Sequence, residues 1–148
     1  MKKFLINTRY FIAPLLILSA IFGVLAGGPW VWTGVILLGA GIIIDTLTKR
    51  QTPGAGFDDN GNTYASAGLQ NGIMYGMLGA FVLLQIVLAW RVWQYVNGVP
   101  IAEASMLGFT IQEGITGSQL IGATLSSGIF AGIGIIYGHE LAHTKGFS

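Results

Sequence analysis

The chain contains two histidines, His139 and His143, and they are four residues apart. On an α-helix that spacing puts both side chains on one face, so two imidazoles can reach one ion. Glu140 projects about 100° further round the same helix, where a carboxylate can orient a metal ligand or act as a base. Imidazole suits zinc and iron alike. Either metal requires more than these two residues, because a catalytic zinc takes at least three protein ligands and a di-iron site takes more. The chain has no cysteine and no third histidine. Asp45 is the best remaining candidate, as a carboxylate at the end of an apolar run, at the same membrane level as the histidines. It also reads as a helix-end carboxylate hydrated at the interface. Glu103 and Glu113 read as solvated charges on the opposite side.

The residues around these groups are those of a membrane protein. Of 148 residues only 9% are charged, 53% are hydrophobic, and mean hydropathy is +0.68. A soluble surface carries about 25% charge, so lipid must cover much of this one. A net charge of +1 provides no basic field for nucleic acid. Intrinsic disorder is excluded by the hydrophobicity.

From Tyr10 to Ile44 there is no charge across 35 residues. As one helix this run would measure roughly 52 Å, against a hydrocarbon core of about 30 Å. It must fold back, and Gly27-Gly28-Pro29 is the place, since glycine permits the turn and proline suits a first helical turn. The predicted hairpin has helices at about 10–26 and 30–47. A third helix is expected over about 73–96, after a polar Gly-rich loop, with Trp90, Trp93 and Tyr95 at its far end as an interfacial belt. Arg91 among them is expected to snorkel to that interface. Residues 97–117 read as a second loop, and a fourth helix over about 118–143 carries the histidines. The expected fold class is therefore all-α, an integral-membrane domain over residues 1–148 with about four transmembrane helices. Residues 1–28 also have the form of a signal peptide, but a second span starting at Trp30 favours an uncleaved anchor. Gly-xxx-Gly spacings at Gly72/Gly76, Gly128/Gly132 and Gly134/Gly138 are expected to let helices approach within one molecule.

Lys2, Lys3, Arg9, Lys49, Arg50 and Lys145 fall on one side of a four-span arrangement. The positive-inside rule then puts the N-terminus and the histidine-bearing end in the cytoplasm.

Gly138-His139-Glu140-Leu141-Ala142-His143 resembles the first histidine box of the integral-membrane alkane monooxygenases, the group that includes xylene monooxygenase hydroxylase subunits. The resemblance extends to Tyr10-Phe11-Ile12-Ala13-Pro14, to Gly27-Gly28-Pro29-Trp30-Val31-Trp32, to Ile43-Ile44-Asp45 and to the Gly132–Gly138 approach. It covers nearly the whole chain, with the box as its one specific motif. The family has Lys or Arg directly after the second histidine, where this chain has Thr144 before Lys145. The resemblance implies a non-haem di-iron centre, with His139 and His143 as iron ligands and Glu140 as their supporting partner. It implies O₂-dependent terminal hydroxylation of an apolar hydrocarbon in the bacterial inner membrane, with electrons from rubredoxin and rubredoxin reductase. Family members are much longer, so the chain is expected to be an N-terminal part with an incomplete di-iron hydroxylase fold, inactive alone. The apolar interior between the helices is the expected substrate route. Two other readings of the box are a membrane-embedded zinc metalloprotease, in which Glu140 is the general base, and a fatty-acid desaturase or related hydroxylase.

Overall fold

The computed structural model describes residues 11–48, 67–106 and 108–143. It contains four α-helices, α1 (Ile12–Ala26), α2 (Thr33–Thr48), α3 (Ala67–Val96) and α4 (Gly117–His143), and one two-stranded hairpin, β1 (Ala102–Met106) and β2 (Phe109–Glu113). The helices run up, down, up and down. Late α1 meets late α3 at Arg91, while Gly34 of α2 packs on Ser126 of α4 and Gly134 of α4 packs on Phe81 of α3. The core lies between them, built on Ile17, Val24, Val31, Phe81, Leu84 and Phe130.

The first hairpin forms where the sequence places it. Gly27 and Gly28 have φ of 73° and 55°, a region that L side chains avoid. At Gly27 a Cβ would also come within 2.7 Å of Arg91 Nη2 and 2.8 Å of the Gln112 carbonyl oxygen. Gly28–Trp32 forms a 3-10 turn with its proline in the first turn, and Thr33 Oγ1 donates to the Trp30 carbonyl at 2.6 Å as α2 begins. Close packing then depends on small residues: a Cβ on Gly34 would lie 2.7 Å from that of Ser126, and one on Gly122 would lie 2.7 Å from the Trp32 indole.

Residues 97–117 are not the loop that the sequence suggested. β1 and β2 pair antiparallel with Ala102 opposite Glu113 and Met106 opposite Phe109. Tertiary contacts hold this short ladder in place. Phe109 meets Phe22 and Trp30 edge-on, at centroid distances of 5.6 and 6.0 Å. Gln112 exchanges amide hydrogen bonds with Gln119 at 2.9 and 3.2 Å. Gln119 also accepts from the Thr116 N–H at 2.9 Å, and its own N–H donates to Thr116 Oγ1 at 3.3 Å. Thr116-x-x-Gln119 is thus a capping box for α4, and its glutamine ties the hairpin to the helix.

Arg91 departs further from expectation. Its side chain is fully buried instead of reaching for the interface. Nε donates to the Val24 carbonyl at 2.8 Å and Nη2 to the Leu25 carbonyl at 2.6 Å. Nη1 donates to Gln94 Oε1 at 2.7 Å and to the Gln112 and Gly114 carbonyls at 3.0 and 3.1 Å. The last carbonyls of a helix have no intrahelical donor and carry the negative end of its dipole. One guanidinium, with five N–H groups in a rigid fork, satisfies the end of α1 and fastens α3 and the hairpin to it.

Within the described residues two helical stretches are long and apolar enough to cross a membrane. They are Asn71–Val96 and Gly117–Ile136, with mean hydropathy 2.0 and 1.6. Only 22% and 28% of these stretches are buried inside the bundle, so their outward faces are apolar as well, unlike those of a core helix in a soluble protein. Ile12–Ala26 and Gly28–Ile44 are apolar but shorter.

Candidate functional site

α4 runs unbroken from Gly117 to His143, so positions 139 and 143 stand in the i, i+4 register that a shared ion requires. Its chain-terminal end lies at the same end of the bundle as the close of α2, which includes position 45. The topology therefore brings the ends of α2 and α4, with positions 45 and 139, to the same end of the bundle. The side chains of Asp45, Glu140 and His143 lie outside the described ones.

The faces of α4 separate two features that the sequence reading had combined. Ala123, Ser126, Ser127 and Phe130 are buried and turn toward the other helices. His139 is exposed, in line with Ile121, Leu125, Gly128, Gly132 and Ile135 on the opposite side. An apolar groove of about 320 Å³ lies between α1, α2 and α4, lined by Leu16, Gly34, Gly41, Ile42, Phe130 and Ile133 among others. His139 is on the other face of α4 from this groove, so the interior apolar route and the imidazole do not converge within the described bundle. By helical register it is positions 45 and 140 that continue the groove-lining rows, 34–38–41 of α2 and 130–133 of α4.

The glycine spacings divide in the same way. Gly134 packs inward on Phe81, whereas a Cβ at Gly72, Gly76, Gly128, Gly132 or Gly138 would meet nothing within 4 Å. The expected close approach within the molecule holds for Gly134; Gly128 and Gly132 face away from the bundle.

Among the described residues no group of three His, Cys, Asp or Glu could hold an ion. Of the remaining acidic groups, Glu103 and Glu113 are exposed on the hairpin at the far end of the bundle. Sequence reasoning missed Arg91 as a structural centre. The available signal was a lone cation with no nearby countercharge in an apolar stretch, with Gln94 one turn on.

No protein-family model, curated protein or solved structure matches this chain.

Proposed function

We propose that this chain is the N-terminal part of a membrane-bound non-haem di-iron monooxygenase that hydroxylates alkanes, with all four helices in the bilayer. The observation that carries this reading is the unbroken apolar α4 ending in an i, i+4 histidine pair, level with the end of α2. His139 and His143 would be two of the iron ligands, with Glu140 supporting them, and the remaining ligands lie beyond this chain. Iron in such a site supplies O₂ activation. The protein's own contribution is to hold two imidazoles at a fixed spacing where the bundle meets water, within reach of a soluble donor such as rubredoxin. An apolar hydrocarbon reaches the protein through lipid, and the groove beside Gly41 and Ile42 provides an apolar surface for it.

The outward position of His139 fits this reading. On this reading the ligands that complete the site approach α4 from outside the four-helix bundle. The test uses the complete protein that contains this chain, in membranes with ferrous iron, O₂, rubredoxin and its reductase. A terminal alcohol should form from an alkane; a fully iron-loaded protein that makes none would overturn the proposal.

The charge pattern further assigns the histidine end to the cytoplasm. Because the chain has no cysteine, single cysteines report its topology directly. In intact spheroplasts a membrane-impermeant maleimide should label Glu103→Cys, and should label Lys145→Cys only after permeabilisation. The opposite pattern inverts the assignment.

A further inference from the structure

The hairpin between α3 and α4 turns back along the bundle instead of standing clear of it. At its base the Gln112 carbonyl takes a hydrogen bond from Arg91, and a Cβ on Gly27, just past the end of α1, would lie 2.8 Å from the same oxygen. Nearer the turn, Phe109 packs edge-on against Phe22 and Trp30. Phe22 stands one turn inside the end of α1, about 6 Å back along its axis. From Gln112 to Phe109 the strand therefore runs toward the middle of the span. Arg91 relates this level to α3. Lying between the exposed Trp90 and Trp93, it bonds to the Val24 and Leu25 carbonyls. Tryptophans of this kind mark a membrane–water boundary, so Phe22 and Phe109 lie at that boundary or just inside it.

We propose that this hairpin is a lipid-inserting finger, with Phe109 seated among the phospholipid acyl chains of the leaflet on its own side of the membrane. The inference rests on the membrane placement of the helices proposed above, and is independent of iron and of hydroxylation. Three observations select acyl chains as the partner. First, Phe22, Trp30 and Phe109 form one aromatic cluster that stays 41%, 38% and 46% exposed. Second, the cluster borders a groove of about 400 Å³ on the outer side of α1, lined by Leu15, Leu18, Ser19, Phe22, Trp30 and Thr33. The Ser19 and Thr33 hydroxyls donate to the Leu15 and Trp30 carbonyls within their own segments, so the groove presents an apolar surface that continues from the tip toward the middle of the span. Third, charge follows the same gradient along the hairpin. Glu103 and Glu113 lie toward its base and are exposed, whereas residues 106–109 read Met-Leu-Gly-Phe. The unpaired edge groups of a two-stranded ladder cannot enter hydrocarbon. Insertion therefore stops at the headgroup–acyl boundary, about 5–10 Å deep, as for an interfacial amphipathic helix.

The experiment uses the full 148-residue chain in phosphatidylcholine liposomes, with single cysteines carrying a bimane fluorophore, since the natural chain has none. The quenchers are phosphatidylcholine with a nitroxide on its acyl chain, and aqueous iodide. Bimane at Phe109→Cys should be quenched several-fold more by the lipid nitroxide than by iodide, and at Glu103→Cys the order should reverse. Because Phe109→Cys removes the aromatic ring, Ser105→Cys, exposed on the hairpin, reports with Phe109 in place. Its lipid quenching should exceed that at Glu103→Cys, and adding Phe109→Ser should shift it toward iodide. Leu83→Cys, exposed in the middle of α3, is the reference for a lipid-facing helix. Iodide quenching at Phe109→Cys and Ser105→Cys equal to that at Glu103→Cys overturns the proposal while Leu83→Cys stays lipid-quenched. If neither quencher reaches position 109, protein covers it, and the lipid assignment is overturned as well. Iodide quenching at Leu83→Cys overturns the membrane placement itself, so the two readings fail separately.

Discussion

Arg91→Ala should destabilise the bundle by about 3–5 kcal/mol, comparable to removing one partner of a buried ion pair. The cost arises from the acceptors left behind. The carbonyls of Val24, Leu25, Gln112 and Gly114 all take a hydrogen bond from this one side chain, and a buried acceptor left without a donor costs roughly 1–3 kcal/mol. These costs are not additive, since water can reach some of the vacated site. A buried charge can often be exchanged for an apolar residue of similar volume at little cost when its partner is exchanged as well. That route is closed here, because four of the five partners are main-chain carbonyls that no substitution removes. Arg91→Met should therefore behave like Arg91→Ala despite its better packing. Arg91→Lys should recover only part of the loss, as an ammonium has three donors to the guanidinium's five. Unfolding in detergent micelles measures the stability, and limited proteolysis between residues 97 and 117 should show the hairpin detaching before the helices unfold. Wild-type stability and proteolysis in Arg91→Ala would show that the cluster does not hold the bundle together.

Why that cluster escaped sequence reading is a matter of range. The helices are written locally: a charge-free run too long for one span, Gly27-Gly28-Pro29 to turn it, and an apolar stretch ending in Trp and Tyr. Accordingly, the described helices 12–26 and 33–48 differ little from the expected 10–26 and 30–47. α3 begins six residues before the expected 73, because Gly68, Asn71 and Gly72 are weak helix formers and resemble the end of a loop. By contrast, the acceptors on α1 lie 66 and 67 residues from Arg91, and those on the hairpin 21 and 23. The lone cation in an apolar stretch marks Arg91 locally, but its acceptors on α1 and the hairpin are too distant in sequence for any local pattern to name them. The hairpin was hidden for a related reason. Ala-Glu-Ala-Ser-Met has little strand propensity, and the ladder is held by Phe109, Gln112 and Arg91, which act through contacts with the helices. At the candidate site the i, i+4 register was legible from spacing. The face that His139 occupies was not, since it depends on which side of α4 the other helices cover. Gly122, Ser126 and Phe130 decide that side together with Trp32, Gly34 and Phe81, none of which is near the box in sequence.

The second large effect expected is the loss of metal on His139→Ala in the complete protein. Residues that only orient a ligand already contribute tenfold to a hundredfold in metal affinity, so removal of a ligand should exceed about a hundredfold. Glu140→Gln separates the two enzymatic readings of the same box. If Glu140 supports an iron ligand, Glu140→Gln should weaken metal retention by about ten- to a hundredfold, and activity should return when iron is supplied in excess. If Glu140 is the general base of a zinc hydrolase, Glu140→Gln should retain the metal fully and lose about 10²- to 10⁴-fold in rate, with no rescue by metal. Metal content and turnover measured on both variants distinguish these outcomes, because one reading couples them at Glu140 and the other does not. His139→Ala supplies the common reference, since both readings require it to lose metal. If it keeps its metal, neither reading of the box survives, and His139 is then a polar residue where α4 emerges from lipid.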